Sequence, residues 1–110
     1  MIEFGEGKYK IYLNYFKIGD ELLVIIYGGE RPHIGSISIC DNAPPFSISF
    51  LGHKDYIISH YASEKIFNKL NIKVVVICGI HIENATKEDI EILINNSKKC
   101  IEKFLENFNY

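Results

Sequence analysis

The sequence predicts an α+β fold, an α/β two-layer sandwich in which a mixed, mostly antiparallel sheet carries two helices on one face. Three observations point there. The first half alternates apolar and polar residues with a period of two, the mark of half-buried strands. The second half holds two stretches with apolar residues at helical spacing. Between those stretches, residues 72–78 form a nearly unbroken β-branched run, the mark of a strand buried on both faces. Taken in order, residues 8–18 place Tyr9, Ile11, Leu13 and Tyr15 opposite Lys8, Lys10, Tyr12 and Asn14. Gly19-Asp20 turns the chain into an apolar run over residues 21–27, which Gly28-Gly29-Glu30-Arg31-Pro32 ends. Residues 34–40 put Ile37 and Ile39 on one face and Ser36 and Ser38 on the other. After a turn at residues 41–45, Phe46, Ile48 and Phe50 alternate with Ser47 and Ser49. Residues 55–70 carry Ile57, Ile58, Tyr61, Ala62, Ile66, Phe67 and Leu70 at helical spacing. Thr86-Lys87-Glu88-Asp89 has the form of a capping box opening a long helix with Ile90, Leu93, Ile94, Ile101, Leu105 and Phe108 as its apolar stripe. The predicted order is ββββαβα in a single domain, residues 1–110. The serine faces of the third and fourth strands are expected to meet solvent or a subunit interface, or to flank a ligand pocket.

Composition narrows the function. Apolar residues make up 47% and charged residues 24% of 110, so the chain is neither disordered nor fibrous. A formal charge of −2 with no basic block argues against nucleic acid as a partner, because neutralising phosphates needs a Lys/Arg face. Eleven of the twelve basic residues are Lys, and Arg31 is the single arginine. No window approaches the ~18 apolar residues of a membrane span. The first ten residues are charged and lack the apolar core of a secretion signal, so a cytoplasmic protein is expected. Cys40, Cys78 and Cys100 show no C-x-x-C or zinc spacing and are expected to be reduced, buried thiols.

Topology then gathers the unusual residues. If the second, third and fourth strands form an antiparallel meander and a helix returns the chain to a parallel fifth strand, three segments reach the same sheet end. They are residues 28–35, 51–55 and 79–84, and they hold three of the four histidines and the single arginine, each near glycine. Both helices start at this end, where backbone N–H groups and positive dipole ends favour an anion. An anion-compatible ligand site is the expectation, with Gly28, Gly29, Arg31, His33, Gly35, Gly52, His53, Lys54, Gly79, His81 and Asn84 as candidate cofactor-binding residues. Simpler readings stand beside it: Gly28-Gly29 as a tight turn, Arg31 as a solvated side chain, and the histidines as hydrogen-bonded loop residues. His33, His53 and His81 form the alternative, a divalent metal site, which is not favoured because no H-x-H, H-x₃-H or adjacent Cys accompanies them. His60, in mid-helix, reads as structural. There is no Ser–His–Asp order, paired-carboxylate motif, P-loop or G-x-G-x-x-G, and no catalytic residue is assigned.

Taken together, Gly28-Gly29 with Pro32-His33-Ile34-Gly35, then Gly52-His53-Lys54, then Gly79-Ile80-His81-Ile82-Glu83-Asn84-Ala85-Thr86 resembles the family of small LpdD-like proteins. These are prenylated-flavin chaperones that accompany UbiD-type decarboxylases such as the gallate decarboxylase system. The resemblance covers residues 19–105 and implies a non-catalytic carrier that holds prenylated FMN, or FMN, and helps mature a decarboxylase partner. Placed on such a ligand by physical reasoning, Arg31 and the helix-start amides near Lys54 would take the phosphate. His33, His53 and His81 would meet the ribityl chain or ring edge, and Tyr27 and Ile80 would pack the isoalloxazine. Two other classes remain open: a small histidine-dependent enzyme, with or without a metal, and a structural subunit of a decarboxylase complex with no ligand of its own. An exposed sheet edge also predicts self-association as a homodimer or higher homo-oligomer.

Overall fold

The β-branched run of residues 72–78 is the centre of the sheet. In a computed structural model, which describes residues 1–50 and 55–109, it becomes β6 (Val74–His81), with Val74, Val76 and Cys78 fully buried. Ahead of it come β1 (Ile2–Phe4), a single 3-10 turn (Gly7–Tyr9), β2 (Ile11–Ile18), β3 (Glu21–Gly29), β4 (Ser36–Cys40), β5 (Phe46–Ser49) and helix α1 (Tyr56–Leu70). Helix α2 (Lys87–Asn107) closes the order. The sheet runs β1-β2-β3-β6-β4-β5 among the described residues. Helix α1 packs on β4, β5 and β6, helix α2 packs on β1 and β2, and the two helices touch each other on the same sheet face. The α+β sandwich is therefore as predicted, with six strands where five were expected; β1 is the addition.

The neighbours in the sheet differ from the expected meander. β3 pairs in parallel with β6, and β4 pairs antiparallel with β6 and with β5. β6 therefore lies between β3 and β4, which do not pair with each other. The strand directions survive the change: β3, β6 and β5 all run the same way and β4 runs against them. The same sheet end thus collects the end of β3, the start of β4, the end of β6 and the starts of both helices.

The serine faces are inverted relative to a simple wet-side reading. Ser36 and Ser38 are fully buried beneath α1, and the alternate residues Ile37 and Ile39 point to the uncovered face. The cause lies in α1, which turns Ser59, Ala62, Ser63 and Ile66 inward at helical spacing. The hydroxyls of Ser36 and Ser38 lie 2.8 and 2.7 Å from that of Ser59; Ser38 and Ser47 are 2.6 Å apart, and the Ser47 hydroxyl is 2.9 Å from His60 Nδ1. Each hydroxyl thereby finds partners, and small residues on both sides let helix and sheet approach closely. His60 belongs to this seam, consistent with a structural role.

The second helix follows its cap. Thr86 Oγ1 accepts from the Asp89 N–H and Asp89 Oδ2 accepts from the Thr86 N–H, both at 3.0 Å, which is the capping box the sequence contains. Its inner face is Leu93, Asn96, Ser97, Cys100, Ile101 and Phe104, so Phe104 enters the core while Ile90 stays 43% exposed. None of the helices among the described residues is long and apolar enough to cross a membrane. The three thiols are free and buried, and burial pushes Cys100 up to about 11, with Cys40 and Cys78 also raised.

Candidate functional site

The segment between β3 and β4 is stitched across the end of β6. Glu30 and Arg31 donate their N–H groups to the His81 carbonyl at 2.7 and 3.1 Å, and the Gly35 N–H donates to the Cys78 carbonyl at 2.8 Å. This close lay needs glycine at particular places. Gly29 takes φ +77°, a left-handed value that side chains rarely tolerate, and a Cβ there would run into the His81 carbonyl. A Cβ on Gly79 would overlap the His33 carbonyl, and one on Gly35 would overlap the Asp55 carboxylate. Gly28 lies within β3 between Ile11 and Ile80.

The polar groups meet on this platform. Asp55, only 6% exposed at the start of α1, accepts from the Ile80 N–H through Oδ1 at 3.0 Å, and its Oδ2 lies 3.6 Å from His33 Nε2. The His33 and His81 rings are 6.2 Å apart, edge to face. His81 Nε2 lies 3.1 Å from Glu83 Oε2, and the Arg31 guanidinium lies 3.7 Å from that same oxygen. Glu30 Oε1 accepts from the Glu83 N–H at 2.9 Å, closing the cluster. Asn84 sits in the turn between β6 and α2 with φ +52°, exposed to solvent. Gly52, His53 and Lys54 lie outside the described residues. Among the described residues no three His, Cys, Asp or Glu side chains gather as a ligand set for a metal.

The two helix starts at this end are not equivalent. At α2, the Thr86 hydroxyl accepts from the Asp89 N–H, the Asp89 carboxylate accepts from the Thr86 N–H, and Tyr9 donates its hydroxyl to Asp89 Oδ1 at 2.6 Å. The Tyr9 hydrogen bond, with the Thr86 amide, holds the Asp89 carboxyl below its ordinary range, and that same bond raises Tyr9. With Glu88 beside it, the positive end of α2 is already matched by acidic side chains. At α1 the Asp55 side chain turns to Ile80 instead of capping its own helix. The first turn of α1 and Arg31 are thus where an incoming anion would find donors.

Beside the polar cluster, between the first turns of α1 and α2, lies an open cavity of about 290 Å³. Its walls are almost wholly aliphatic, including Ile57, Ile58, Ile80, Ile90 and Leu93, with Asp55 and His81 at its edge. Ile57 and Ile90 stand at its mouth, each 43% exposed. This apolar wall was not anticipated apart from Ile80, since its residues come from three elements whose meeting depends on the fold. Tyr27, expected beside a ring system, faces the other side of the sheet, stacked on Tyr12 at 5.4 Å. Asp55 and Glu30 were missed as well; Asp55 reads in sequence as an ordinary helix-start residue. An apolar cavity rimmed by a few convergent polar groups is built for recognition. The buried, raised thiols supply no thiolate beside it.

Two comparisons bear on this arrangement. Residues 5–109 match the family model described as the prenylated flavin chaperone LpdD-like domain. The chain is also 32% identical over 79 residues to Protein LpdD of Lactiplantibacillus plantarum, a match covering 66% of this chain and 58% of that protein. The chain thus spans under two thirds of that relative's length. The loop motifs that carried the resemblance lie inside the matched region, and those at residues 28–35 and 79–86 stand at the sheet end where the cavity opens. This chain belongs to the prenylated flavin chaperone LpdD-like family.

Proposed function

We propose that this chain is a chaperone that binds prenylated FMN and assists the maturation of a UbiD-type decarboxylase. The observation that carries the reading is the open aliphatic cavity abutting a polar cluster at the convergence of the strand ends. A prenylated flavin has the matching division: an enlarged apolar ring system at one end, hydrogen-bonding ring edges and a ribityl phosphate at the other. Ile57, Ile80, Ile90 and Leu93 offer the apolar wall for the ring system, and His33, His81 and Arg31 the polar groups beside it. Arg31 and the first turn of α1 suit the phosphate.

The cavity, at about 290 Å³, is at the small end for enclosing a whole ligand, so it takes one part of the flavin and leaves the rest accessible. That suits a carrier, which must hold its cargo and then surrender it. When bound, the flavin supplies the reactive chemistry of the decarboxylase, and this chain's residues bind and orient it. His33 Nε2 lies 3.6 Å from the Asp55 carboxylate and His81 Nε2 3.1 Å from that of Glu83, so each ring has a carboxylate beside it that favours one orientation.

Ligand retention tests the reading. The chain is co-expressed with a flavin prenyltransferase and purified without oxygen, and the denatured extract is read by absorbance and mass spectrometry. Stoichiometric prenylated FMN is expected, with severe loss in Ile57→Glu and Ile90→Glu. Those side chains are already partly exposed, so the charge reaches the cavity mouth without disrupting the core. Arg31→Ala weakens retention less, by removing a phosphate contact. A protein that emerges without flavin overturns the proposal.

A further inference from the structure

The sheet has a second face, and no element among the described residues packs on it. Register lines up its side chains in two rows across five strands. One row is Phe16, Leu23, Val75, Ile39 and Phe46. The next is Asn14, Ile25, Ile77, Ile37 and Ile48. Asn14 is the single polar residue in the two rows, and neither row holds a charge. Phe46 is 63% exposed, Phe16 53%, Ile48 47% and Ile39 40%. The face is bounded at one end by the charged line Glu21, Lys73 and Asp41, in which the Lys73 ammonium lies 3.3 Å from Glu21 and 3.8 Å from Asp41. It is an apolar field with a polar rim, the anatomy of an interface core.

We propose that a second copy of this chain covers this face, the two sheets stacking across a two-fold axis into a four-layer helix–sheet–sheet–helix dimer. Area supports it. Five strands about 4.8 Å apart, each roughly six residues long at about 3.3 Å per residue, give roughly 500 Å² per copy. Doubled, that reaches the ~1,000 Å² a stable interface must clear, with rim residues such as Tyr12 and Phe50 included. An uncovered apolar patch of this size is at the upper end of what a lone soluble domain carries, and such patches mark interaction sites.

The chemistry selects the occupant. A two-fold contact places each patch against itself, so any charge within it would face its own copy. This face has none. Aligned packing of two twisted sheets about 10 Å apart interdigitates just such rows of aliphatic and aromatic side chains. A decarboxylase that meets the chain and then releases it would meet a transient interface, whose apolar share resembles ordinary surface; nine apolar residues in ten positions fit a permanent one. The cavity proposed for the flavin lies on the helix side of the sheet, so stacking leaves it open.

Sedimentation equilibrium of the flavin-free full chain at tens of micromolar tests this, with far-UV circular dichroism reporting folding. Wild type is expected at twice the 12.6 kDa chain mass. Ile39→Lys/Ile48→Lys, which places two charges from each copy in the stack, is expected to weaken association by about a hundredfold or more. Phe46→Lys alters the most exposed side chain of the rows, on an edge strand, and decides the matter if the double variant does not fold. A folded Phe46→Lys chain that weighs one copy supports the proposal, and Lys99→Glu on α2 should leave the dimer intact. A wild-type monomer overturns the proposal, including one that instead binds the decarboxylase through this face. So does a dimer unaffected in the folded variants, which would place the interface elsewhere. Mass is read without flavin, so the result stands apart from flavin retention.

Discussion

Gly79 has no side chain because the carbonyl of His33 occupies the place a Cβ would take. The histidine-bearing segment can therefore lie flat on the end of β6, where His33, His81 and Asp55 come within reach of one another. Gly79→Ala must push that segment away from β6 or distort the strand. A cost of roughly 1–3 kcal/mol is expected, read as a lower midpoint in urea unfolding. The same shift carries His33 away from Asp55, so Gly79→Ala is expected to lower flavin retention. The pairing of histidine with neighbouring glycine was visible in the sequence; the reason for it was not. The glycines read as turn residues, but at Gly35 and Gly79 the constraint is the close approach of groups distant in sequence, the Asp55 carboxylate and the His33 carbonyl. Asp55 escaped notice for a related reason. Its partners, the Ile80 amide and His33, are each more than twenty residues away, and no local pattern marks a carboxylate for burial.

At the scale of elements, alternation located the strands and the capping box located α2, because both signals are local. What alternation cannot supply is orientation. β4 and β5 each have one serine face and one apolar face, and the hydrophobic effect alone would turn the serines outward. The structure turns Ser36, Ser38 and Ser47 inward because α1 brings Ser59 and His60 down on them and satisfies the hydroxyls. Ser59, Ala62, Ser63 and Ile66, at i, i+3, i+4 and i+7, were the available sign that this helix packs through small polar residues. β1 was missed because three residues give too short a pattern; it depends on β2 and on α2 behind it. The turn at Gly7–Tyr9 is likewise held from a distance, by the Tyr9 hydroxyl on Asp89. This contact carries a pH signature. Asp89 titrates below its ordinary range in the folded chain, so its contribution is present above the unfolded value near ~3.9 and is lost as pH falls through the folded value. Tyr9 is raised, so its contribution is present below ~10 and is lost as pH climbs through its folded value. Tyr9→Phe removes the main cause of both shifts. Urea midpoints taken from pH 2 to pH 6 should therefore fall less steeply toward acid in the variant than in wild type. Parallel curves would show that the bond does not bias Asp89.

The whole molecule presents two distinct surfaces on opposite sides of one sheet. The helix side carries the cavity, and the other side the apolar rows; the strands between are its most buried part. Insertion of β6 between β3 and β4 creates both surfaces. It brings the loop after β3 over the end of β6, and it extends the apolar rows through Val75 and Ile77 without a break. Sequence order gave no sign of this insertion, since a crossover can return beside either neighbour. Separate surfaces imply that two stabilising equilibria can be perturbed one at a time. A dimer is stabilised by its own concentration, so a tenfold increase contributes about 1.4 kcal/mol per dimer, which for two copies of this chain raises Tm by roughly 3–6 °C. A flavin bound at the cavity raises Tm by mass action at any fixed protein concentration. Phe46→Lys should therefore abolish the dependence on protein concentration and keep the flavin-induced rise. Ile57→Glu should do the reverse, keeping the concentration dependence and losing the response to flavin. Scanning calorimetry on the three proteins, at two concentrations, with and without prenylated FMN, separates the two surfaces. A single substitution that removed both responses would show that flavin binding and chain association are one coupled event, with the cavity formed only in the dimer.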